Sequence, residues 1–164
     1  MFIELESLFN GGIDSIPVNY DFDYSKEEIS GVFPFTTPVK LKGEIRNTAG
    51  LVTVSATITF TMDIVCDRCA EKAVLSFEVP MQHGLVSELN DEENDDYILI
   101  EDMKLDIEQL TLEDIYLALP GKLLCKEDCK GVCPQCGANL NEGPCSCKKE
   151  IDPRFEALLD LLGD

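Results

Sequence analysis

The sequence is poor in the residues that catalysis and nucleic-acid binding commonly require. Its single histidine, His83, has no motif around it, and 13 lysines and arginines face 32 aspartates and glutamates, for a formal net charge of -19. Nucleic-acid affinity depends chiefly on Lys and Arg displacing counterions, so a chain of this charge repels a phosphate backbone. The charge therefore argues against direct RNA or DNA binding and suits a basic protein partner.

Long apolar runs and targeting signals are absent as well. No stretch approaches the roughly 20 apolar residues of a membrane-spanning helix, and residues 1–10 lack the basic start and apolar middle of a secretory signal. We therefore expect a cytoplasmic protein with no membrane contact. In that reducing compartment, the eight cysteines of the chain favour metal ligands or redox groups over structural disulfides.

The sequence also shows none of the motifs on which common catalytic mechanisms depend. It has no glycine-rich phosphate loop, no His-x-Glu deaminase pattern and no serine-centred elbow. His83 is expected at the surface near a strand end rather than as a general base. The carboxylates concentrate in a polar run at 87–96, which predicts a solvated acidic loop. We expect no enzymatic activity.

Alternating apolar and polar residues predict an antiparallel sheet. The clearest strand is 52–64, and residues 39–46 alternate in the same way before turn residues at 47–50, so these segments form an antiparallel pair. A third strand at 73–79 follows the pair Cys66 and Cys69, which places those cysteines at a hairpin tip. Weaker strand candidates are 2–9, 16–24 and 97–100.

Two helices are predicted in the second half of the chain. Residues 106–119 have a helical apolar period, and Pro120 ends the helix. The apolar face of this helix consists of Leu112, Ile115, Tyr116 and Leu119. Asp152 followed by Pro153 predicts the start of a short amphipathic C-terminal helix. Its apolar residues are Phe155, Leu158, Leu159 and Leu162.

These patterns predict an α+β fold. We expect an antiparallel β-sheet or partly closed barrel with one packed helix, followed by a C-terminal zinc-ribbon-like module and a short terminal helix. Residues 1–105 would form the β domain with the acidic loop. Residues 106–164 would hold the helix, the cysteine-rich module and the C-terminal helix, and a shared metal site would tie them to the first part.

The cysteines form one close pair and one dense cluster. The pair is Cys66-x2-Cys69, and the cluster consists of Cys125, Cys129, Cys133, Cys136, Cys145 and Cys147. Structural zinc prefers four thiolates, and a C-x2-C turn lets two sulfurs converge on one ion. In the second such turn Pro134 fixes the chain and Gly137 can take a positive backbone angle. The eight cysteines therefore predict two closed tetrahedral zinc sites.

The spacing also suggests how the ligands are grouped. Cys133 and Cys136 are nearest to Cys145 and Cys147, which predicts one site. The other site would consist of Cys66, Cys69, Cys125 and Cys129 and would tie the hairpin tip to the segment after the helix. Full thiolate coordination leaves neither a free nucleophile nor an open position for a zinc-bound water.

Two alternatives to this assignment stay open. One cluster could consist of reduced thiols, with a single zinc in the C-terminal cluster. Iron in a rubredoxin-like electron carrier also needs four thiolates. The iron alternative is weaker because Ala70 stands where a second rubredoxin-like turn would have glycine.

Three segments of the chain resemble a known family. They are Cys66-Asp-Arg-Cys69, Leu117-Ala-Leu-Pro120, and Cys129-Lys-Gly-Val-Cys133-Pro-Gln-Cys136-Gly-Ala-Asn-Leu-Asn141. With these residues, and with Asp152-Pro153-Arg154 near the end, the chain is similar to the YceD family of bacterial and plastid proteins. The resemblance covers most of the chain and is most specific in the C-terminal third.

The resemblance implies a non-enzymatic factor in large ribosomal subunit biogenesis and in the accumulation of large-subunit ribosomal RNA. It also implies that the quartet built on Cys133 and Cys136 is an addition of some lineages. Together with the acidity, it favours a basic ribosomal protein or ribosome-assembly factor as partner, with indirect RNA contact. The remaining alternative is direct RNA binding through Lys40, Lys42 and Arg46, which predicts a steep loss of affinity with salt.

Overall fold

The computed structural model describes residues 1–29, 31–88 and 97–147. Seven strands and two α-helices occur in these residues. In chain order they are β1 (Phe2–Glu4), α1 (Glu6–Phe9), β2 (Ser15–Phe22), β3 (Val39–Thr48), β4 (Leu51–Val65), β5 (Lys72–Val86), β6 (Tyr97–Leu99), β7 (Lys104–Asp106) and α2 (Ile107–Ala118). None of the helices in these residues is long and apolar enough to cross a membrane.

The main sheet has five strands in the order β2, β3, β4, β5, β6. The first four pair antiparallel in sequence order, whereas β6 is parallel to β5. The alternating pattern predicts the pairing of β3, β4 and β5 but not that of β2. The sheet is therefore mixed and open, and the expectation of a partly closed barrel is wrong. β2 and β6 are the two edges of the described sheet and do not pair with each other, and β6 is only three residues long.

The two longest hairpins follow the sequence pattern closely. Ala49 and Gly50 join β3 to β4 with positive φ angles of 54° and 93°, the conformation of a tight two-residue hairpin turn. The Asn47 side-chain oxygen accepts the Gly50 N–H at 2.9 Å and stabilises that turn. The β4–β5 pairing then runs from Val52 and Leu85 to Val65 and Lys72, so Cys66 and Cys69 lie at the predicted tip.

One face of the sheet is covered by α2 and by the N-terminal segment. Ile58, Met62 and Met81 are almost completely buried on that face, and Ile107 and Ile115 of α2 are fully buried. The Asp106 side chain accepts the Gln109 N–H at 3.3 Å and caps α2.

The apolar face predicted for α2 is only partly right. Ile115 is buried, but Tyr116 is 43% exposed and the buried side chains include Asp114. Because Asp114 is polar but points toward the core, the apolar period of the sequence does not identify the buried face of α2. The hydrogen-bond partner of Asp114 is His83 of β5.

His83 and Asp114 join β5 to α2. His83 Nε2 lies 2.9 Å from each carboxylate oxygen of Asp114, and the two side chains are 29% and 10% exposed. His83 is thus a partly buried partner of the helix rather than the surface residue expected from the sequence. The contact gives the buried Asp114 carboxylate a hydrogen-bond partner.

Replacing His83 by alanine is expected to lower the free energy of unfolding by about 1 to 3 kcal/mol, because the buried Asp114 carboxylate would lose its donor. His83→Gln keeps a side-chain N–H and should retain more of the stability. Urea denaturation of the wild type and both variants measures the difference. An alanine variant as stable as the wild type would show that this contact does not hold the helix.

The N-terminal segment differs from the sequence prediction. Residues 2–9 are expected as one strand, but only Phe2–Glu4 forms a strand and Glu6–Phe9 is a short helix. That strand, β1, pairs antiparallel with β7, about a hundred residues later in the chain. The predicted helix after Asp152 lies outside the described residues, and so does the predicted acidic loop 87–96 apart from its first two residues.

Candidate metal centres

Four cysteines from two distant parts of the chain meet at the tip of the β4–β5 hairpin. Cys66 and Cys69 lie between the two strands, and Cys125 and Cys129 come from the segment after α2. The four sulfurs all lie within 4.8 Å of one another. These four residues, called site one below, form the group predicted from the spacing, and that grouping is confirmed.

The sulfur spacing in site one fits four-thiolate coordination. Cys66 Sγ is 3.7 Å from Cys129 Sγ, and Cys69 Sγ is 3.6 Å from Cys125 Sγ. Four sulfurs about 2.3 Å from one ion, at tetrahedral angles, stand about 3.8 Å apart. All eight cysteines are free thiols rather than disulfides. The donor set and its spacing are therefore compatible with a metal ion.

Residues of the hairpin tip hold the segment of Cys125 and Cys129 in place. Asp67 donates its N–H to the Leu123 carbonyl at 2.9 Å, and Leu123 donates its N–H to the Asp67 carboxylate at 2.6 Å. Arg68 Nη1 donates to the Cys129 carbonyl at 3.0 Å. A Cβ at Gly131 would stand 2.9 Å from the Arg68 carbonyl oxygen, so glycine lets the chain pass close to the tip. The sequence pattern assigns no role to Asp67 or Arg68.

The second group, called site two below, consists of Cys133, Cys136, Cys145 and Cys147. Their sulfurs also lie within 4.8 Å of one another, so the second predicted grouping is confirmed. Site two is more exposed than site one, because only Cys133 is buried and Cys136 is exposed to solvent. It is compatible with a second metal ion by the same donor chemistry.

The two C-x2-C turns share one backbone geometry. Ala70 donates its N–H to the Cys66 carbonyl at 2.9 Å, and Gly137 donates its N–H to the Cys133 carbonyl at 2.8 Å. The φ angles of Ala70 and Gly137 are 58° and 73°, which confirms the positive angle expected for Gly137. The lack of glycine at position 70 therefore does not prevent a rubredoxin-like turn, and that reason for disfavouring iron no longer applies.

Backbone N–H groups favour the ionised form of the first cysteine in each turn. The amides of Cys136 and Gln135 lower the pKa of Cys133 to about 6. Burial opposes ionisation of Cys66, but backbone amides, led by that of Cys125, outweigh it and lower the pKa of Cys66 to about 6. The thiolate is the form that binds metal, so these N–H groups favour metal binding by Cys66 and Cys133.

Other thiols of the two groups are harder to ionise. Burial and the neighbouring Cys69 raise the pKa of Cys125 to about 12. Cys136, followed by burial, raises the pKa of Cys147 to about 12. Four clustered thiols cannot all ionise without a cation, and a coordinated metal ion removes this restriction.

Asn141 connects the two groups. Its Nδ2 lies 3.4 Å from Cys129 Sγ, and its Oδ1 accepts the Lys130 N–H at 2.8 Å. The first of these contacts lowers the pKa of Cys129. Asn141 belongs to the loop between Cys136 and Cys145 of site two, so this loop contacts a cysteine of site one. Cysteine spacing does not identify Asn141, although it ends the longest segment that resembles the YceD family.

Both groups of cysteines lie within the part of the chain that matches a known protein family. A model of the family described as large ribosomal RNA subunit accumulation protein YceD matches residues 54–162. This chain belongs to the YceD family. The YceD match contains all eight cysteines and all but the first three residues of the hairpin that carries Cys66 and Cys69. The resemblance seen in the sequence is thus confirmed, and the family is associated with accumulation of large-subunit ribosomal RNA.

Relatives of this YceD-family chain occur in bacteria and in a plant. The uncharacterised protein YlbN of Bacillus subtilis is 31% identical over 129 residues, which are 77% of this chain and 75% of YlbN. An uncharacterised protein of Mycobacterium tuberculosis is 38% identical over 71 residues, which are 43% of this chain and 34% of that protein. The chain therefore spans about a third of the mycobacterial relative.

The plant relative has a name that refers to ribosomal RNA. It is the chloroplastic large ribosomal RNA subunit accumulation protein YCED homolog 1 of Arabidopsis thaliana. It is 25% identical over 148 residues, which are 72% of this chain and 46% of the plant protein. No solved structure matches the chain.

Proposed function

We propose that this chain is a non-enzymatic factor in large ribosomal subunit biogenesis, that both cysteine groups hold zinc, and that it acts through a basic protein partner. The observation that carries the proposal is that all eight cysteines of a YceD-family chain form two four-sulfur groups. The plant relative, whose name refers to large ribosomal RNA accumulation, supports the assignment to this process.

A structural role for the metal follows from the donor set. Four thiolates fill a tetrahedral zinc site and leave no position for a reactive water. Bound zinc would supply the positive charge that lets all four thiols of a group ionise, and its binding free energy would contribute to folding. Site one would hold the segment after α2 against the β4–β5 hairpin, and site two would close the 133–147 segment.

The charge distribution supports a protein partner rather than direct RNA binding. Of the basic residues considered for RNA, Arg46 is engaged by Glu44, whose carboxylate oxygens accept from Nε at 3.0 Å and from Nη2 at 2.9 Å. Lys40 and Lys42 then add only two positive charges against a net charge of -19. Long-range attraction therefore favours a basic protein, and any effect on RNA would be indirect.

Metal analysis of the native protein tests the cofactor. We expect two zinc ions per chain and no visible absorption, because zinc has a filled d shell. Chelation should remove site-two zinc first, since its thiolates are more exposed. Stoichiometric iron with thiolate absorption would replace the zinc proposal with the rubredoxin-like electron carrier.

Affinity capture tests the partner. The tagged full-length protein is incubated with lysate at low and moderate salt, with and without ribonuclease, and bound proteins and RNA are identified. We expect a basic ribosomal protein or assembly factor to be retained after ribonuclease treatment and weakened by salt. Recovery of RNA with no such protein would contradict the proposal and support direct RNA binding.

A further inference from the structure

A groove of about 590 Å³ lies between β6, the turn at Glu101–Met103 and the start of α2. None of the eight cysteines lines it, and it is called the acidic groove below. Its volume is suited to a few side chains of a short segment rather than to a folded domain. The acidic groove therefore offers a defined place for part of a partner to bind.

The floor of the acidic groove is apolar. Ile100, Leu105 and Leu110 are buried there, with exposures of 5%, 4% and 7%. Large apolar side chains remain exposed at its edge, because Leu99 is 43% exposed and Phe2 is 67% exposed. Apolar side chains placed around a concave floor are typical of a binding groove rather than of scattered surface residues.

The rim of the acidic groove is negatively charged. Glu101, Asp102 and Glu113 line it, and no cation of the described residues forms an ion pair with them. Lys104 also lines the groove, but its Nζ lies 3.4 Å from the Glu4 carboxylate. The rim therefore has uncompensated carboxylates beside apolar surface, which is complementary to lysine or arginine beside an apolar side chain.

We propose that the acidic groove binds a short basic segment of the partner protein. An apolar side chain of that segment would pack on Leu99 and Phe2, and its lysine or arginine groups would lie at Glu101, Asp102 and Glu113. This inference rests on the proposed function for the existence of a basic partner, and it adds where that partner binds and which chemistry the groove recognises. Long basic side chains suit the groove because their methylene stems cover apolar surface while their charged ends reach the carboxylates.

A labelled peptide tests the chemistry of the groove. The probe is a fluorescein-labelled octapeptide of lysine and arginine with two central leucines, and its comparison peptide has serine in place of leucine. Fluorescence anisotropy with the full-length protein should show about fivefold tighter binding of the leucine peptide, because leucine gains apolar burial. Equal affinity for the two peptides would overturn the inference, since it would leave only unspecific charge attraction.

Variants locate the binding site. Leu99→Ser should weaken the leucine peptide about fivefold, whereas Leu51→Ser, at a side chain that is 44% exposed on the β3–β4 turn, should leave its affinity unchanged. The double variant Glu101→Gln and Glu113→Gln should weaken both peptides about fivefold at low salt. Its matched control is Asp63→Asn with Glu78→Gln, on exposed positions of β4 and β5. Equal effects of groove variants and controls would overturn the inference.

The same variants separate this inference from the proposed function. If lysate capture yields a basic ribosomal protein with the wild type but not with Leu99→Ser, both stand. If the groove variant captures that protein as well as the wild type does, the binding surface lies elsewhere and only the inference fails. If no basic protein is captured but the leucine peptide binds the groove selectively, the proposed partner fails and the groove keeps its specificity for a basic apolar segment.

Discussion

Replacing Cys66 by serine is expected to remove one of the two zinc ions proposed for this chain and to lower the free energy of unfolding by at least about 3 kcal/mol, because the metal-binding energy of site one would be part of the folding energy. Site one joins sulfurs 56 and 63 residues apart in the chain. Its loss would release the segment after α2 from the hairpin tip. Zinc analysis and urea denaturation of the purified variant measure both effects.

Cys145→Ser is the matched control for this prediction. It should also remove one zinc ion, but with a smaller loss of stability, because Cys145 is partly exposed and site two closes only the local segment 133–147. Cys66, by contrast, is 2% exposed and packs with Cys69 and Cys129 in a small buried cluster. Equal losses of stability in the two variants would contradict a special role of site one in joining distant parts of the chain.

The grouping of the cysteines could be predicted because it depends on local geometry. A C-x2-C turn brings its two sulfurs together wherever it occurs, and the short separation of Cys136 from Cys145 leaves the other ligands to the distant pair. The β3–β4 hairpin could be predicted for a similar reason. Its alternation and its turn residues at 47–50 specify both the pairing and the register.

The features that the sequence does not predict depend on contacts between distant residues. Residues 87–96 separate β5 from β6, so nothing local specifies that β6 pairs parallel to β5 and leaves the sheet open. The face of α2 depends on Asp114 meeting His83 from another strand. Ala70 adopts a left-handed conformation that its side chain does not favour, and only the surrounding turn requires it.

The close approach of β3 to β4 at Gly43 predicts a large loss of stability when a side chain is added there. Gly43 is opposite Ala56, on the side of β3 whose neighbouring residues Leu41 and Ile45 are buried. A Cβ at Gly43 would stand 2.5 Å from Ala56 Cβ, and closer still to the Ser55 carbonyl oxygen and to Ala56 Cα. Glycine in a strand is typical of such close backbone approach, and here the missing side chain lets the paired strands β3 and β4 lie close together.

Gly43→Ala is therefore expected to lower the free energy of unfolding by about 3 kcal/mol, because backbone atoms of β4 would have to move to admit the methyl group. The control is Gly121→Ala, where an added Cβ meets no atom within 4 Å. That change should be neutral or slightly stabilising, since alanine reduces the freedom of the unfolded chain without a clash. Urea denaturation of both variants, each with its zinc content measured, gives the comparison. A Gly43→Ala protein as stable as the control would show that the strands can separate at this point, and the close approach of β3 to β4 would then not be required by the fold.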